Sequence, residues 1–94
     1  MAGHVAKRCV ISGKVQNVWY RAWTVQEADK LGLNGWVRNR ADGSVEALFS
    51  GPTDKVAAMI DLCHTGPRAA RVSGVTAEDF SGDIPQGFQQ RDDA

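Results

Sequence analysis

The segment Arg40-Ala41-Asp42-Gly43 separates two apolar-alternating runs, Gly35-Trp36-Val37-Arg38-Asn39 and Ser44-Val45-Glu46-Ala47-Leu48-Phe49-Ser50. Asp-Gly between such runs predicts a β-hairpin, because Gly supplies the positive φ that the turn needs. Val45, Ala47 and Phe49 share one face of its second strand. A strand and a helix precede this hairpin, and a helix and a strand follow it. Before it, Val5 to Gly13 alternates with period two, which predicts a first strand. From Arg21 to Leu31, Ala22, Val25, Ala28 and Leu31 fall at helical spacing, and Gly32 follows as the stop. After Gly51-Pro52-Thr53, the residues Val56, Met59, Ile60 and Cys63 mark one face of a second helix that Gly66-Pro67 ends. Arg71 to Phe80 alternates again, with Val72 and Phe80 on one face and Val75 and Ala77 on the other. Asp83 to Gly87 reads as a loop and Phe88-Gln89-Gln90 as a short edge strand. Residues 1–4 and 91–94 are expected to be flexible ends.

The order is therefore β-α-β-β-α-β. Two βαβ halves around a central hairpin predict an α+β, ferredoxin-like sandwich, an antiparallel sheet with two helices on one face. Residues 1–94 make one domain, of a size that buries one modest core. This fold hosts many functions, so the function must be argued from particular side chains. Eleven basic and eleven acidic residues cancel. A balanced chain exerts no long-range pull on nucleic acid or an anionic membrane, so any anion site must be local. No apolar run resembles a signal peptide or is long enough to span a bilayer, which favours the cytoplasm. Cys9 and Cys63 match no metal spacing, and both fall on apolar faces. Buried reduced thiols are the simpler reading, with a disulfide between them left open.

The chemistry concentrates in Gly13-Lys14-Val15-Gln16-Asn17-Val18-Trp19-Tyr20-Arg21, which runs out of a strand and into a helix. Such a turn exposes the unpaired N–H groups of a helix's first turn, an anion site. A cation there opposes the helix dipole and costs roughly 0.3–1 kcal/mol. Arg21 makes sense in that place if an anion sits between it and the amides. Gly13 turns the backbone, and Asn17 is the non-Gly residue most tolerant of positive φ. Both suit a curled loop of inward N–H groups. The competing reading is a plain connection with Arg21 solvated. Asn39 shares a side with Val37. If the first and second long strands run close together, it approaches the mouth of that loop; otherwise it is a turn residue. Gln16 either donates to the anion or is solvated. Arg38 and Arg40 form either a basic rim or exposed hairpin charges. Trp19, Tyr20, Trp23 and Trp36 could stack bases, but the third strand carries an acid and a small residue, Glu46 and Ala47, where an RNA-binding sheet needs basic and aromatic ones. His4 and His64 are isolated. No nucleophile–base pair or metal motif appears. An Arg with an Asn orients reactants and stabilises charge without a strong base. That combination suits a labile phosphate ester or anhydride attacked by water.

Together these residues resemble the acylphosphatase family. Its first signature, Gly-x-Val-Gln-Gly-Val-x-Phe-Arg, is matched by Gly13 to Arg21. Its second, Gly-Trp-Val-Arg-Asn followed by Asp-Gly-Ser-Val-Glu, is matched by Gly35 to Asn39 and Asp42 to Glu46. The resemblance continues through Leu31-Gly32-Leu33 and Gly51-Pro52. It implies a small monomeric enzyme that hydrolyses acyl phosphates to a carboxylate and orthophosphate, with no metal or organic cofactor. By the same resemblance, backbone N–H groups from Val15, Gln16, Asn17, Val18, Trp19 and Tyr20 bind the phosphoryl group with Arg21. Asn39 positions the attacking water, and a phosphoryl oxygen of the substrate takes its proton. Orthophosphate would be both product and inhibitor, and neither nucleic acid nor membrane a partner. Asn17 stands where the family has Gly, and Tyr20 where it has Phe. A non-catalytic phosphate-binding module and, further off, an RNA-binding module are the alternatives.

Overall fold

In the computed structural model, which describes residues 3–94, the chain runs β1 (His4–Lys14), α1 (Tyr20–Lys30), β2 (Asn34–Asn39), β3 (Val45–Pro52), α2 (Thr53–Thr65), β4 (Arg71–Asp79) and β5 (Phe88–Gln90). The strands form one sheet in the order β4-β1-β3-β2-β5. The four longer strands pair antiparallel, as the ferredoxin-like reading expects. The short β5 adds to β2 in parallel, which makes the sheet mixed. The first and second long strands do not run side by side, because β3 lies between them. That is the geometry of a split βαβ unit, in which the returning hairpin strand fills the gap.

The hairpin closes as its sequence demands. Arg40 N–H donates to the Ser44 carbonyl at 2.9 Å, and Gly43 N–H donates to that of Arg40 at 3.2 Å. The Asp42 carboxylate accepts from the Ser44 N–H and hydroxyl, an Asx-type turn. Those two bonds hold the Asp42 carboxyl below the usual range.

The core lies between the sheet and the helices. Ile11, Val37, Val45, Ala47 and Phe49 meet Tyr20, Ala28, Val56 and Met59 there. Cys9 and Cys63 are buried free thiols, and burial pushes both up to about 12. Two local expectations shift. In α1 the buried positions are Tyr20, Thr24 and Ala28, while Ala22 is exposed. Thr24 is tolerated because its hydroxyl donates to the Tyr20 carbonyl at 2.8 Å. In β4, Val72 and Val75 both pack against the core, although alternation puts them on opposite faces. The register supplies the reason: Ser12 opposes Gly74 but Gly13 opposes Val72, so Ser73 is an extra residue and inverts the phase. Gly13 is needed at this bulge. Its φ is +118°, and a Cβ would stand 2.1 Å from the Arg71 carbonyl oxygen.

Of the ends expected to be flexible, residues 1 and 2 lie outside the described residues, and His4 opens β1. The other end continues beside β2. Arg91 N–H donates to the Val37 carbonyl at 2.8 Å, and Ala94 N–H to that of Asn39 at 2.9 Å.

Among the described residues no helix covers the opposite face of the sheet. Its central strand nevertheless buries Glu46, which is 4% exposed, and Leu48. Long cationic side chains supply the cover. Arg8 and Arg38 each donate from Nε to Glu46, Arg38 at 2.7 Å. Arg38 and Arg91 both lie over the Trp36 ring, at 4.9 and 5.2 Å from its centroid. Burial works against ionising Glu46, but bonds and charge from Arg38 and Arg8 outweigh it and lower its pKa.

A second tie joins the helices. Tyr20 Oη donates to the Cys63 carbonyl at 2.7 Å, inside the core. That carbonyl belongs to the last turn of α2, whose acceptors have no partner within the helix. The Tyr20 ring also fills the space beside Gly66, where a Cβ would meet it at 2.7 Å.

Two outcomes follow. Tyr20→Phe keeps the ring and strands a buried carbonyl, so it lowers stability by about 1–2 kcal/mol. In a chain of this size that moves the thermal midpoint by about 4–8 °C per kcal/mol; an unchanged midpoint would show the bond to be idle. Glu46 has a lowered folded pKa, so its contribution is complete above the unfolded value of about 4.3 and fades as pH falls through the folded one. Urea melts from pH 7 to 3 should therefore show Glu46→Gln less stable than the parent at neutrality and converging with it in acid. A constant gap would refute the linkage.

Candidate active site

A βαβ unit returns the chain to the edge it left, so the C-terminal ends of β1 and β2 lie at the same end as the N-terminus of α1. The site forms at that meeting point. Residues 15–19 carry the chain from β1 to α1. Val15 and Val18 are buried and Tyr20 anchors the first turn, while Asn17 and Trp19 are exposed. This alternation forces a curl. Asn17 takes φ 60° and Trp19, the residue capping α1, takes φ 68°. Left-handed residues next to right-handed ones are the backbone from which anion nests are built.

Gln16 holds the loop in place. Its Nε2 donates to the Arg40 carbonyl at 2.8 Å and to the Ser44 carbonyl at 2.9 Å. The loop is thereby fastened to the hairpin turn, and those side-chain donors are not free for an anion. Arg38 and Trp36 lie on the other face of the sheet, which removes Arg38 from any basic rim. Tyr20 and Trp23 pair with each other, with centroids 5.3 Å apart. The four aromatics therefore form no common stacking surface.

A cavity of about 400 Å³ opens here, lined by Val15, Asn17, Trp19, Tyr20, Arg21, Ala22, Asn39 and Gln90. Its size is in the range of small-molecule pockets, about 300–1,000 Å³. Arg21, at the start of α1, and Asn39, at the end of β2, thus face one space, although β3 separates β2 from the strand that leads into the loop. Asn39 is 7% exposed, and its Oδ1 is buried with no hydrogen-bond partner. Unmet buried acceptors are rare and ask for an explanation. A donor entering the cavity, such as water, would satisfy this one. Arg21 Nη1 reaches the Asp93 carboxylate at 3.3 Å. Both side chains are partly exposed, so the pair is weak, and an incoming anion can replace the carboxylate.

Of the residues singled out in the sequence, Val15, Asn17, Trp19, Tyr20, Arg21 and Asn39 line the cavity. Gln16 and Val18 do not, since one braces the loop and the other packs in the core. Gln90 and Asp93 escaped sequence reasoning. Gln90 reaches the site through the parallel pairing that sets it against Val37, and no local pattern announces such a register. Among the described residues no group of three or more His, Cys, Asp or Glu side chains is placed to hold a metal.

A family model described as Acylphosphatase matches residues 7–90. An acylphosphatase from Rhizorhabdus wittichii is 55% identical over 87 residues, covering 93% of this chain and 88% of that relative. Among solved structures, an acylphosphatase from Coxiella burnetii superposes with a TM-score of 0.89 at 32% identity, over 94% of this chain and 93% of the other. One from Bacillus subtilis gives 0.88 at 31%, over 93% and 98%.

Asn17 offers a test of the loop. Replacing it with Gly removes a left-handed strain on the order of 1 kcal/mol but also loosens the unfolded chain by about 0.4–1 kcal/mol. The melting midpoint should stay within a few degrees. Removing the side chain from the cavity wall should tighten orthophosphate binding in a calorimetric titration. Unchanged affinity would show that Asn17 leaves the cradle open.

Proposed function

The chain belongs to the acylphosphatase family, and on that premise we propose how its own residues hydrolyse an acyl phosphate. N–H groups of the 15–20 loop, Val15, Asn17, Trp19 and Tyr20 being its residues at the cavity, hold the phosphoryl oxygens together with the Arg21 guanidinium. A planar guanidinium grips two such oxygens at once. Asn39 Oδ1 accepts a hydrogen bond from water and directs it at phosphorus. The new P–O bond forms as the bond to the bridging oxygen breaks, and the carboxylate departs with that electron pair. A carboxylate is a stable leaving group and needs no general acid. The water's proton passes to a phosphoryl oxygen, so no side chain has to act as a base. The protein's contribution is position and a fixed field, the two effects that dominate phosphoryl transfer.

The observation that carries this reading is the unpartnered Oδ1 of Asn39 in the same cavity as Arg21. An amide oxygen buried without a protein donor is matched to a water. Orthophosphate, as product, occupies the same cradle and inhibits. We further propose that the protein acts as a cytoplasmic monomer on small molecules; the size of the cavity supports the small-molecule part of this reading. No helix among the described residues is long and apolar enough to cross a membrane.

The test uses benzoyl phosphate, with and without chelator. Steady turnover that chelation leaves intact is expected. Arg21→Ala and Asn39→Ala should each lower kcat by about 100-fold or more while the fold is kept, the scale of losing one transition-state contact. Arg21→Ala should also weaken orthophosphate inhibition. If Asn39→Ala raised KM alone, Asn39 would be a binding residue and not the one that orients water. Phosphate binding without turnover would point instead to a non-catalytic anion module.

A further inference from the structure

Arg21 and the loop account for the phosphoryl end of a substrate and leave its acyl group unassigned. That group begins one bridging oxygen from phosphorus, so it must lie against whatever lines the same cavity. Of those lining residues, Trp19 is the one large apolar side chain that stands in solvent, at 80% exposure. A solitary exposed aromatic is ordinary on a protein surface. This one differs in two ways. It lines the cavity that holds Arg21 and Asn39, and its backbone is left-handed, at φ 68°. A bulky residue in that region is an outlier that persists only when its surroundings over-determine it. Here the buried Val18 and Tyr20 on either side do so. The Cα–Cβ direction of Trp19 is thereby fixed relative to the loop amides, two residues ahead of Arg21.

We propose that Trp19 selects the acyl group, as a platform on which a flat apolar acyl chain stacks while the phosphoryl end is held by Arg21. The inference rests on the hydrolase reading above and adds the residue that meets the acyl group: Trp19 is what favours an aromatic acyl phosphate over a short aliphatic one. Stacking on an indole adds geometry-dependent attraction to the gain from covering its exposed face. Acetyl phosphate is too short and has no flat face to use it. Contact of this kind is made in the ground state as well as the transition state, so it acts mainly on KM.

The measurement is the ratio of kcat/KM for benzoyl phosphate to that for acetyl phosphate. Trp19→Ala should reduce this ratio about three- to thirty-fold, chiefly through KM for the aromatic substrate. Trp19→Phe, which keeps an aromatic face, should restore most of it. Trp19→Gly removes the ring while relieving the left-handed backbone, and it should show the same loss even if the Ala variant folds poorly. A ratio unchanged in the Gly variant, with the parent enzyme active on both substrates, would overturn the assignment of Trp19 alone. A parent protein that turns over neither substrate would overturn the hydrolase reading itself.

Discussion

The hydrogen bond from Tyr20 Oη to the Cys63 carbonyl, 2.7 Å long and buried, ties the start of one helix to the end of the other. It helps fix the end of the loop, because Tyr20 is where the loop passes into α1. Five residues must leave β1, bury Val15 and Val18, and still bring Asn17 and Trp19 to the cavity wall. Such a loop is strained at Asn17 and Trp19, and it holds only if both exits are fixed. Gly13 and the β4 bulge fix the entrance, Gln16 braces the middle against the hairpin, and Tyr20 fixes the exit. The Tyr hydroxyl also satisfies a carbonyl that α2 could not satisfy itself. One contact thus stabilises both helices and presents Arg21 to the cavity.

The two faces of the sheet solve burial differently, and the difference positions the chemistry. Toward the helices the core is apolar apart from Thr24, whose hydroxyl is bonded to the Tyr20 carbonyl, and Asn39. On the open face, Arg38 and Arg91 lie over the Trp36 ring, while the charges of Arg8 and Arg38 are matched by Glu46 and Glu78. A chain of this size can do without a second helical layer in this way. The arrangement also commits Arg8 and Arg38 to Glu46, which leaves Arg21 as the cation in the cavity.

Much of this was legible because it is local. The Asp42-Gly43 turn, the alternation of Val45, Ala47 and Phe49, and the apolar face of Val56, Met59 and Cys63 each encode an element within a few residues. Gly13 and Asn17 announce unusual backbone through their residue type, and Asn17 does adopt positive φ. What escaped is non-local. The phase of β4 turns on one extra residue opposite Gly13. The insertion of β3 between β1 and β2 is a matter of topology, so Asn39 reaches the site by sharing an end of the sheet and not by adjacency. Gln90 and Asp93 arrive through pairing with β2, and the Gln16 side chain bonds across the hairpin turn. The family resemblance named Arg21 and Asn39; the cavity adds that they face one space and that Asn39 has an acceptor to spare.

The central claim is that Asn39 directs water at phosphorus in a cradle made by the loop and Arg21. The most direct measurement is hydrolysis of benzoyl phosphate in ¹⁸O-labelled water, followed by mass analysis of both products. Attack at phosphorus predicts the label in orthophosphate and none in benzoate. Label in benzoate would mean that water attacks the carbonyl carbon, and the roles given to Arg21 and Asn39 would be wrong.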